Sequence, residues 1–167
     1  QFIVSVILAR LLTPEDYGIV AIISVFIALS AVFIQSGFNS SLVQKKEVDQ
    51  ADISSAFFLS LATAILIYIL LFFTAPGIAK FYSQPILIPS IRVLSIILIL
   101  NSVNAIQNAI VVRAMAFKKS LYANLSGIIV QGIVGITMAL NGYGVWSLIF
   151  SQLSGQIAIC IAFVFVV

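Results

Sequence analysis

Histidine is absent from this sequence of 167 residues, and cysteine occurs once, at Cys160 within an apolar stretch. A disulfide within the chain is therefore impossible, and a zinc or haem site is not expected because the usual side-chain ligands are missing. The sequence also lacks a Ser-His-Asp set, a phosphate-binding glycine loop and an acidic cluster spaced for a metal. We accordingly expect no metal, no cofactor and no enzymatic activity.

Charged residues are scarce as well. They make up 8% of the chain, against about 25% in an ordinary soluble domain, whereas 62% of the residues are hydrophobic and the mean hydropathy is +1.24. Because the chain cannot supply the polar surface of a soluble domain, most of its surface must face lipid. The net charge of +3 comes from basic residues scattered between apolar runs, a pattern that indicates membrane topology and not nucleic-acid binding.

Turn and loop signals divide the apolar sequence into six predicted membrane-crossing helices. The signals are the capping-box sequence Thr13-Pro14-Glu15-Asp16, the polar loop 44–52, the turn 83–85, the basic loop 113–120 and the turn 141–144. The predicted crossings cover residues 1–12 (partial), 15–38, 53–75, 86–112, 120–140 and 145–167. We therefore predict an all-α, polytopic integral membrane protein. Both ends of the chain lie within apolar runs, so we expect it to be a fragment of a longer protein.

Basic residues predict the orientation of these crossings. Five of the eight lie in the second and fourth loops: Lys45, Lys46, Arg113, Lys118 and Lys119. Cytoplasmic loops carry an excess of Lys and Arg. We therefore place these two loops in the cytoplasm, and Lys80 and the 141–144 turn on the opposite side of the membrane.

The fourth crossing carries two sets of polar residues. On a straight helix, Asn101, Asn104 and Asn108 fall within about 60° of one another, and Arg92 lies on roughly the opposite face. Two polar faces cannot both rest against lipid. We therefore expect this helix to lie between neighbouring helices and a cavity.

Amides in the fifth and sixth crossings indicate the same interior. A glutamine that faces lipid is costly, so Gln131, Gln152 and Gln156 should face protein or water. The Gly, Ala and Ser residues at helical spacing in the second, fifth and sixth crossings are interpreted as close helix packing. The residues predicted to line a substrate path are Arg92, Asn101, Asn104, Asn108 and Gln131.

Two interpretations of Arg92 remain open. If the fourth helix begins near Ile86, Arg92 lies about 9 Å along it, near enough for its side chain to extend to the lipid headgroups. Alternatively, Arg92 is a cation in an aqueous cavity that binds a phosphate group through bidentate hydrogen bonds.

Several segments resemble the bacterial polysaccharide transporter family, which belongs to the multidrug/oligosaccharidyl-lipid/polysaccharide flippase superfamily. They are, in chain order, residues 9–18 (ARLLTPEDYG), 37–46 (GFNSSLVQKK), 81–85 (FYSQP), 91–95 (IRVLS) and 141–148 (NGYGVWSL). The resemblance implies a fold of two lobes of six helices each. This chain would be the six-helix N-terminal lobe, and the C-terminal lobe would lie outside it.

The resemblance also implies a function. Members of this family flip undecaprenyl-diphosphate-linked oligosaccharide repeat units across the bacterial cytoplasmic membrane by alternating access. The implied partners are this lipid-linked oligosaccharide, membrane lipids and the C-terminal lobe of the same chain.

Three other classes stay open. They are a drug or cation antiporter of the same superfamily, a membrane-embedded glycosyltransferase or polymerase, and a structural membrane subunit without transport. An antiporter would be expected to place acidic groups within the membrane, whereas all five acidic residues of this chain lie in predicted loops or helix caps.

Overall fold

The computed structural model describes residues 2–35, 50–113 and 117–166. Within these ranges the chain forms helices and no strand: α1 Phe2–Leu11, α2 Pro14–Gln35, α3 Gln50–Phe81, α4 Leu87–Leu94, α5 Ile96–Arg113, α6 Phe117–Leu140 and α7 Val145–Val166. Five segments of the described chain are long and apolar enough to cross a membrane: Pro14–Ile34, Ser54–Phe81, Leu87–Val111, Lys118–Leu140 and Val145–Val164. The prediction of an all-α, polytopic membrane fold is confirmed. Residues 44–49 of the predicted polar loop, which include Lys45 and Lys46, lie outside the described residues.

The connection between α1 and α2 forms the predicted capping box. The backbone N–H and the hydroxyl of Thr13 both donate hydrogen bonds to the Asp16 carboxylate, at 3.0 and 2.8 Å, and the Asp16 N–H donates to Thr13 Oγ1 at 3.3 Å. Pro14 occupies the first helical position, where its missing N–H costs nothing. These bonds satisfy groups that a helix start leaves unpaired, so α2 begins directly after Thr13.

Helix α3 (Gln50–Phe81) is longer at both ends than the predicted crossing 53–75, and it passes through Pro76. A proline inside a helix removes one backbone hydrogen bond, yet transmembrane helices tolerate it where neighbouring segments pack against them. Ala75 and Ala79, on either side of Pro76, are buried in the core. The predicted end at residue 75 is therefore wrong, because packing holds the helix together beyond the proline. Helix α6 likewise begins at Phe117, before the predicted start at residue 120.

The predicted fourth crossing consists of α4 and α5, which meet at Ser95. The backbone of Ser95 keeps helical angles of φ −63° and ψ −16°, so the two helices form one candidate span, Leu87–Val111. A larger share of this span is buried than of any of the other four candidate spans. It packs against α3 and also against α7. The expectation that this crossing lies between neighbouring helices is confirmed.

Helices α6 and α7 form the most extensive helix pair, and glycines lie where their backbones meet. A Cβ atom at Gly155 would lie 3.0 Å from Gln131 Cβ and 3.2 Å from the carbonyl oxygen of Gly127. One at Gly135 would lie 3.1 Å from Ser151 Cβ. Small residues allow membrane helices to approach this closely, so the packing interpretation of these positions is confirmed.

Candidate functional site

A polar cleft lies between α5, α6 and α7. It has two adjoining parts of about 290 and 360 Å³, which share Asn124, Gln156 and Ile159. Small-ligand sites commonly have volumes of about 300–1,000 Å³. The polar side chains that line the cleft are all amides: Asn101, Asn104, Asn108, Asn124, Gln131, Gln152 and Gln156. This cleft is therefore the candidate functional site, and we call it the amide cleft.

Four of the five predicted site residues line the amide cleft. Asn101, Asn104 and Asn108 belong to α5, and Gln131 belongs to α6. The three asparagines share one face of α5, as the helical spacing predicts, and that face lies towards α6 and α7. Their role in a substrate path remains a prediction.

Asn104 joins α5 to α7. Its Nδ2 donates hydrogen bonds to Gln156 Oε1 at 2.8 Å and to the Gln156 backbone oxygen at 3.3 Å. Because a backbone oxygen can only accept, the side-chain amide of Asn104 must turn its nitrogen towards α7. Asn104 is 8% exposed, and its Oδ1 is buried with no hydrogen-bond partner among the described residues. A buried acceptor of this kind costs about 1–3 kcal/mol while it stays unpaired.

At one end of the cleft, Ser120 links two of the amides. Its hydroxyl donates to Asn108 Oδ1 at 2.9 Å, and Asn124 Nδ2 donates to the Ser120 backbone oxygen at 2.8 Å and to Ser120 Oγ at 3.3 Å. The Ser120–Asn108 bond ties the C-terminal part of α5 to the first turns of α6, whereas the bonds between Asn124 and Ser120 lie within α6. The same end of α6 carries Lys118 and Lys119.

Three amides of the cleft have unused hydrogen-bonding groups. Asn101, Gln131 and Gln152 are partly exposed, and within the described ranges none of their side chains takes part in a hydrogen bond. A primary amide offers two N–H donors and one oxygen acceptor without a net charge. The cleft can therefore bind a neutral ligand that both donates and accepts hydrogen bonds.

Arg92, the fifth predicted site residue, does not line the amide cleft. Its guanidinium lies over the ring of Phe72 on α3, with Cζ 4.1 Å from the ring centroid, which is a cation–π contact. Its Nε is buried and donates no hydrogen bond to a described residue. Arg92 thus lies on the α3 side of the fourth crossing, and its binding of a phosphate group remains a prediction.

Three further cleft residues were not among the predicted site residues. They are Asn124, Gln152 and Gln156. Their spacing in the sequence carried a signal: Gln152 and Gln156 lie one helical turn apart, and Asn124 lies two turns before Gln131. All three of the glutamines Gln131, Gln152 and Gln156 line the cleft, and the expectation that they face protein or water stays a prediction.

Comparisons with known proteins agree with the resemblance seen in the sequence. The chain is 28% identical over 149 residues to the succinoglycan biosynthesis transport protein ExoT of Rhizobium meliloti (strain 1021). The matched region covers 89% of this chain and 30% of that protein. It is 21% identical over 151 residues to the lipopolysaccharide biosynthesis protein WzxC of Escherichia coli (strain K12). This matched region covers 90% of the chain and 30% of WzxC. A shorter match is to the teichuronic acid biosynthesis protein TuaB of Bacillus subtilis (strain 168). It is 28% identical over 69 residues and covers 41% of this chain and 14% of that protein.

The chain spans 30% of the length of the first two of these curated relatives. No solved structure matches it. A family model, described as polysaccharide biosynthesis protein, matches residues 7–167. Because this match covers nearly the whole chain, the chain belongs to the polysaccharide biosynthesis protein family.

Proposed function

We propose that the full-length protein flips undecaprenyl-diphosphate-linked oligosaccharide repeat units across the bacterial cytoplasmic membrane. The observation that carries the proposal is the amide cleft, which lies among helices long and apolar enough to cross a membrane. Polar side chains are costly within a membrane, and they commonly mark a substrate path. The family, and a relative named as a succinoglycan biosynthesis transport protein, support a glycan as the polar cargo and transport as the activity.

The proposed mechanism is alternating access between two lobes. In this proposal the described helices form the N-terminal lobe, and a C-terminal lobe closes the path on the other side. The chain covers only 30% of its relatives' length, which leaves room for such a lobe in the full protein. The predicted orientation would place the Asn108–Ser120 end of the cleft towards the cytoplasm, where lipid-linked repeat units would enter.

The proposed substrate contacts are the four predicted residues in the cleft, namely Asn101, Asn104, Asn108 and Gln131. Asn101 and Gln131 have unused side-chain amide groups, whereas Asn104 and Asn108 also hold neighbouring helices in place. We therefore expect the first pair to affect substrate binding directly and the second pair to affect binding through the shape of the cleft.

Reconstitution of the full-length protein tests the proposed function. Liposomes would carry the lipid-linked repeat unit of the producing strain, and a membrane-impermeant glycosidase would report the fraction in the outer leaflet. We expect the protein to transfer repeat units from the inner to the outer leaflet faster than protein-free liposomes do. In cells, deletion of the gene should abolish the surface glycan and cause lipid-linked repeat units to accumulate.

Two results would contradict the proposal. Transfer rates equal to those of protein-free liposomes would exclude flipping by this protein alone. A surface glycan that persists unchanged after deletion, in a strain without a second gene of this family, would exclude a role in export.

A further inference from the structure

We infer that the amide cleft binds uncharged sugar units of the substrate and that the diphosphate group is held elsewhere. The inference rests on the proposed function, since it takes a lipid-linked oligosaccharide as the ligand. It goes beyond that function by assigning the sugar part of the ligand to the side chains of the amide cleft.

The charge of the cleft carries the first step. No charged side chain lines it in the part of the chain that the structure describes. The Arg92 guanidinium lies against Phe72 on the α3 side of the bundle. A phosphate or carboxylate is costly to remove from water unless a cation or several strong donors replace its hydration. A neutral cleft therefore disfavours the diphosphate, and it disfavours an acidic sugar for the same reason.

Hydrogen-bonding chemistry carries the second step. A sugar hydroxyl is both a donor and an acceptor, and so is an amide. The side-chain amides of Asn101, Gln131 and Gln152 form no hydrogen bond with a described residue. In addition, Asn104, which also lines the cleft, keeps a buried Oδ1 that has no hydrogen-bond partner among the described residues.

Helix packing alone does not explain these amides. Asn104 with Gln156, and Asn108 with Ser120, form the hydrogen bonds between helices that are typical of membrane proteins. Gln131 and Gln152 form none with the described residues, although each is costly inside a membrane. Their placement is accounted for by a ligand that supplies the missing partners.

The apolar walls complete the match. Ile97, Ile128 and Ile159 line the larger part of the cleft, and Phe163 lines the smaller part. A sugar ring presents C–H groups as well as hydroxyls, so it suits a site with apolar walls and a few convergent polar groups. A diphosphate has no such apolar surface.

A binding experiment with the purified full-length protein in nanodiscs tests the inference. The two probes are the lipid-linked repeat unit of the producing strain and undecaprenyl diphosphate without sugar. The test variant combines Gln131→Leu with Gln152→Leu, which removes two amides at similar side-chain volume. The matched control is Asn141→Ala, because Asn141 is an exposed amide at the end of α6, outside the cleft.

We expect the double variant to bind the lipid-linked repeat unit about tenfold more weakly than the wild type, as the loss of two neutral hydrogen bonds implies. Its affinity for undecaprenyl diphosphate should equal that of the wild type, and the control should match the wild type with both probes. If the double variant does not fold, Gln131→Leu and Gln152→Leu are measured singly, with about a threefold loss expected for each.

Two outcomes overturn the assignment and leave the proposed function standing. Unchanged affinity for the lipid-linked repeat unit would show that the cleft does not bind sugar. An equal loss of affinity for both probes would show that the cleft holds the diphosphate. A wild-type protein that binds neither probe would instead overturn the proposed function, and the inference with it.

Discussion

Nδ2 of Asn104 donates a hydrogen bond of 2.8 Å to Oε1 of Gln156, which lies on another helix. A second bond, of 3.3 Å, joins the same nitrogen to the Gln156 backbone oxygen. Together they fasten α5 to α7 at the boundary between the two parts of the amide cleft. These two hydrogen bonds add to the packing contacts between α5 and α7.

Removal of this pair should loosen the contact between α5 and α7. In a double-mutant cycle with Asn104→Ala and Gln156→Ala, we expect a coupling energy between about 0.6 kcal/mol, the average found for hydrogen bonds between membrane helices, and about 1.7 kcal/mol, the largest value found. The measured quantity is the free energy of unfolding of the full-length protein in detergent. Asn104→Ala should be the more harmful single change, because Gln156→Ala keeps the backbone acceptor. Additive effects would show that the two side chains do not interact.

Gly155 and Gly77 offer a matched pair for the packing of α6 on α7. A methyl group at Gly155 would lie 3.0 Å from Gln131 Cβ, whereas one at Gly77 meets nothing within 4 Å. We expect Gly155→Ala to lower the free energy of unfolding by about 1–3 kcal/mol through overpacking. Gly77→Ala should be neutral or stabilising by up to about 1 kcal/mol, because alanine favours helix. Equal melting temperatures of the two variants would contradict the close approach.

Alanine substitutions at Gly144 and Gly142 distinguish the cost of backbone strain from the cost of a steric clash at the α6–α7 turn. Both have positive φ, 53° at Gly144 and 78° at Gly142, but only a Cβ at Gly144 would meet a neighbour, Asp16 Oδ1 at 3.2 Å. Alanine at either position should cost about 1–2 kcal/mol for the left-handed backbone. Gly144→Ala should cost more, since it also displaces the carboxylate that caps α2. Thermal unfolding of both variants measures the difference, and a larger loss for Gly142→Ala would contradict this contact.

Variants of Arg92 distinguish phosphate binding by its side chain from anchoring of that side chain at the lipid headgroups. If Arg92 binds the diphosphate, Arg92→Gln should lose about 1.5–3 kcal/mol of binding, or roughly tenfold to a hundredfold, and abolish glycan export at normal protein abundance. Arg92→Lys should then have an intermediate effect, because a point charge replaces a bidentate group.

Phe72→Leu is the control for Arg92, because it removes the ring beneath the guanidinium and keeps the charge. Surface glycan and membrane protein level are measured together in all three variants. Normal export by a well-expressed Arg92→Gln variant would remove Arg92 from the substrate path.

The predicted orientation can be tested with single cysteines in the full-length protein, with Cys160→Ser and any other native cysteine removed. A membrane-impermeant maleimide should label Asn141→Cys in intact cells, because the 141–144 turn is predicted to lie outside. Lys118→Cys should be labelled only after permeabilisation, because the basic loop is predicted to be cytoplasmic. The reverse pattern would invert the topology and would place the Asn108–Ser120 end of the cleft outside.

The features that the sequence determined by itself are those formed by residues close together in the chain. The composition alone excluded a soluble fold, because too few polar residues are present to cover a surface in water. The capping box was predictable because Thr13 and Asp16 lie within one helical turn. The shared face of Asn101, Asn104 and Asn108 follows from helical periodicity, which does not depend on the neighbouring helices.

Only the tertiary structure decided what those faces meet. The pairing of Asn104 with Gln156, and of Arg92 with Phe72, joins residues on different helices, and no local pattern specifies which helices become neighbours. The continuation of α3 through Pro76 depends on the burial of Ala75 and Ala79 against the rest of the bundle. Hydrogen bonds within a turn are encoded in a few consecutive residues, whereas the amide cleft exists only where three separate helices pack around a shared space.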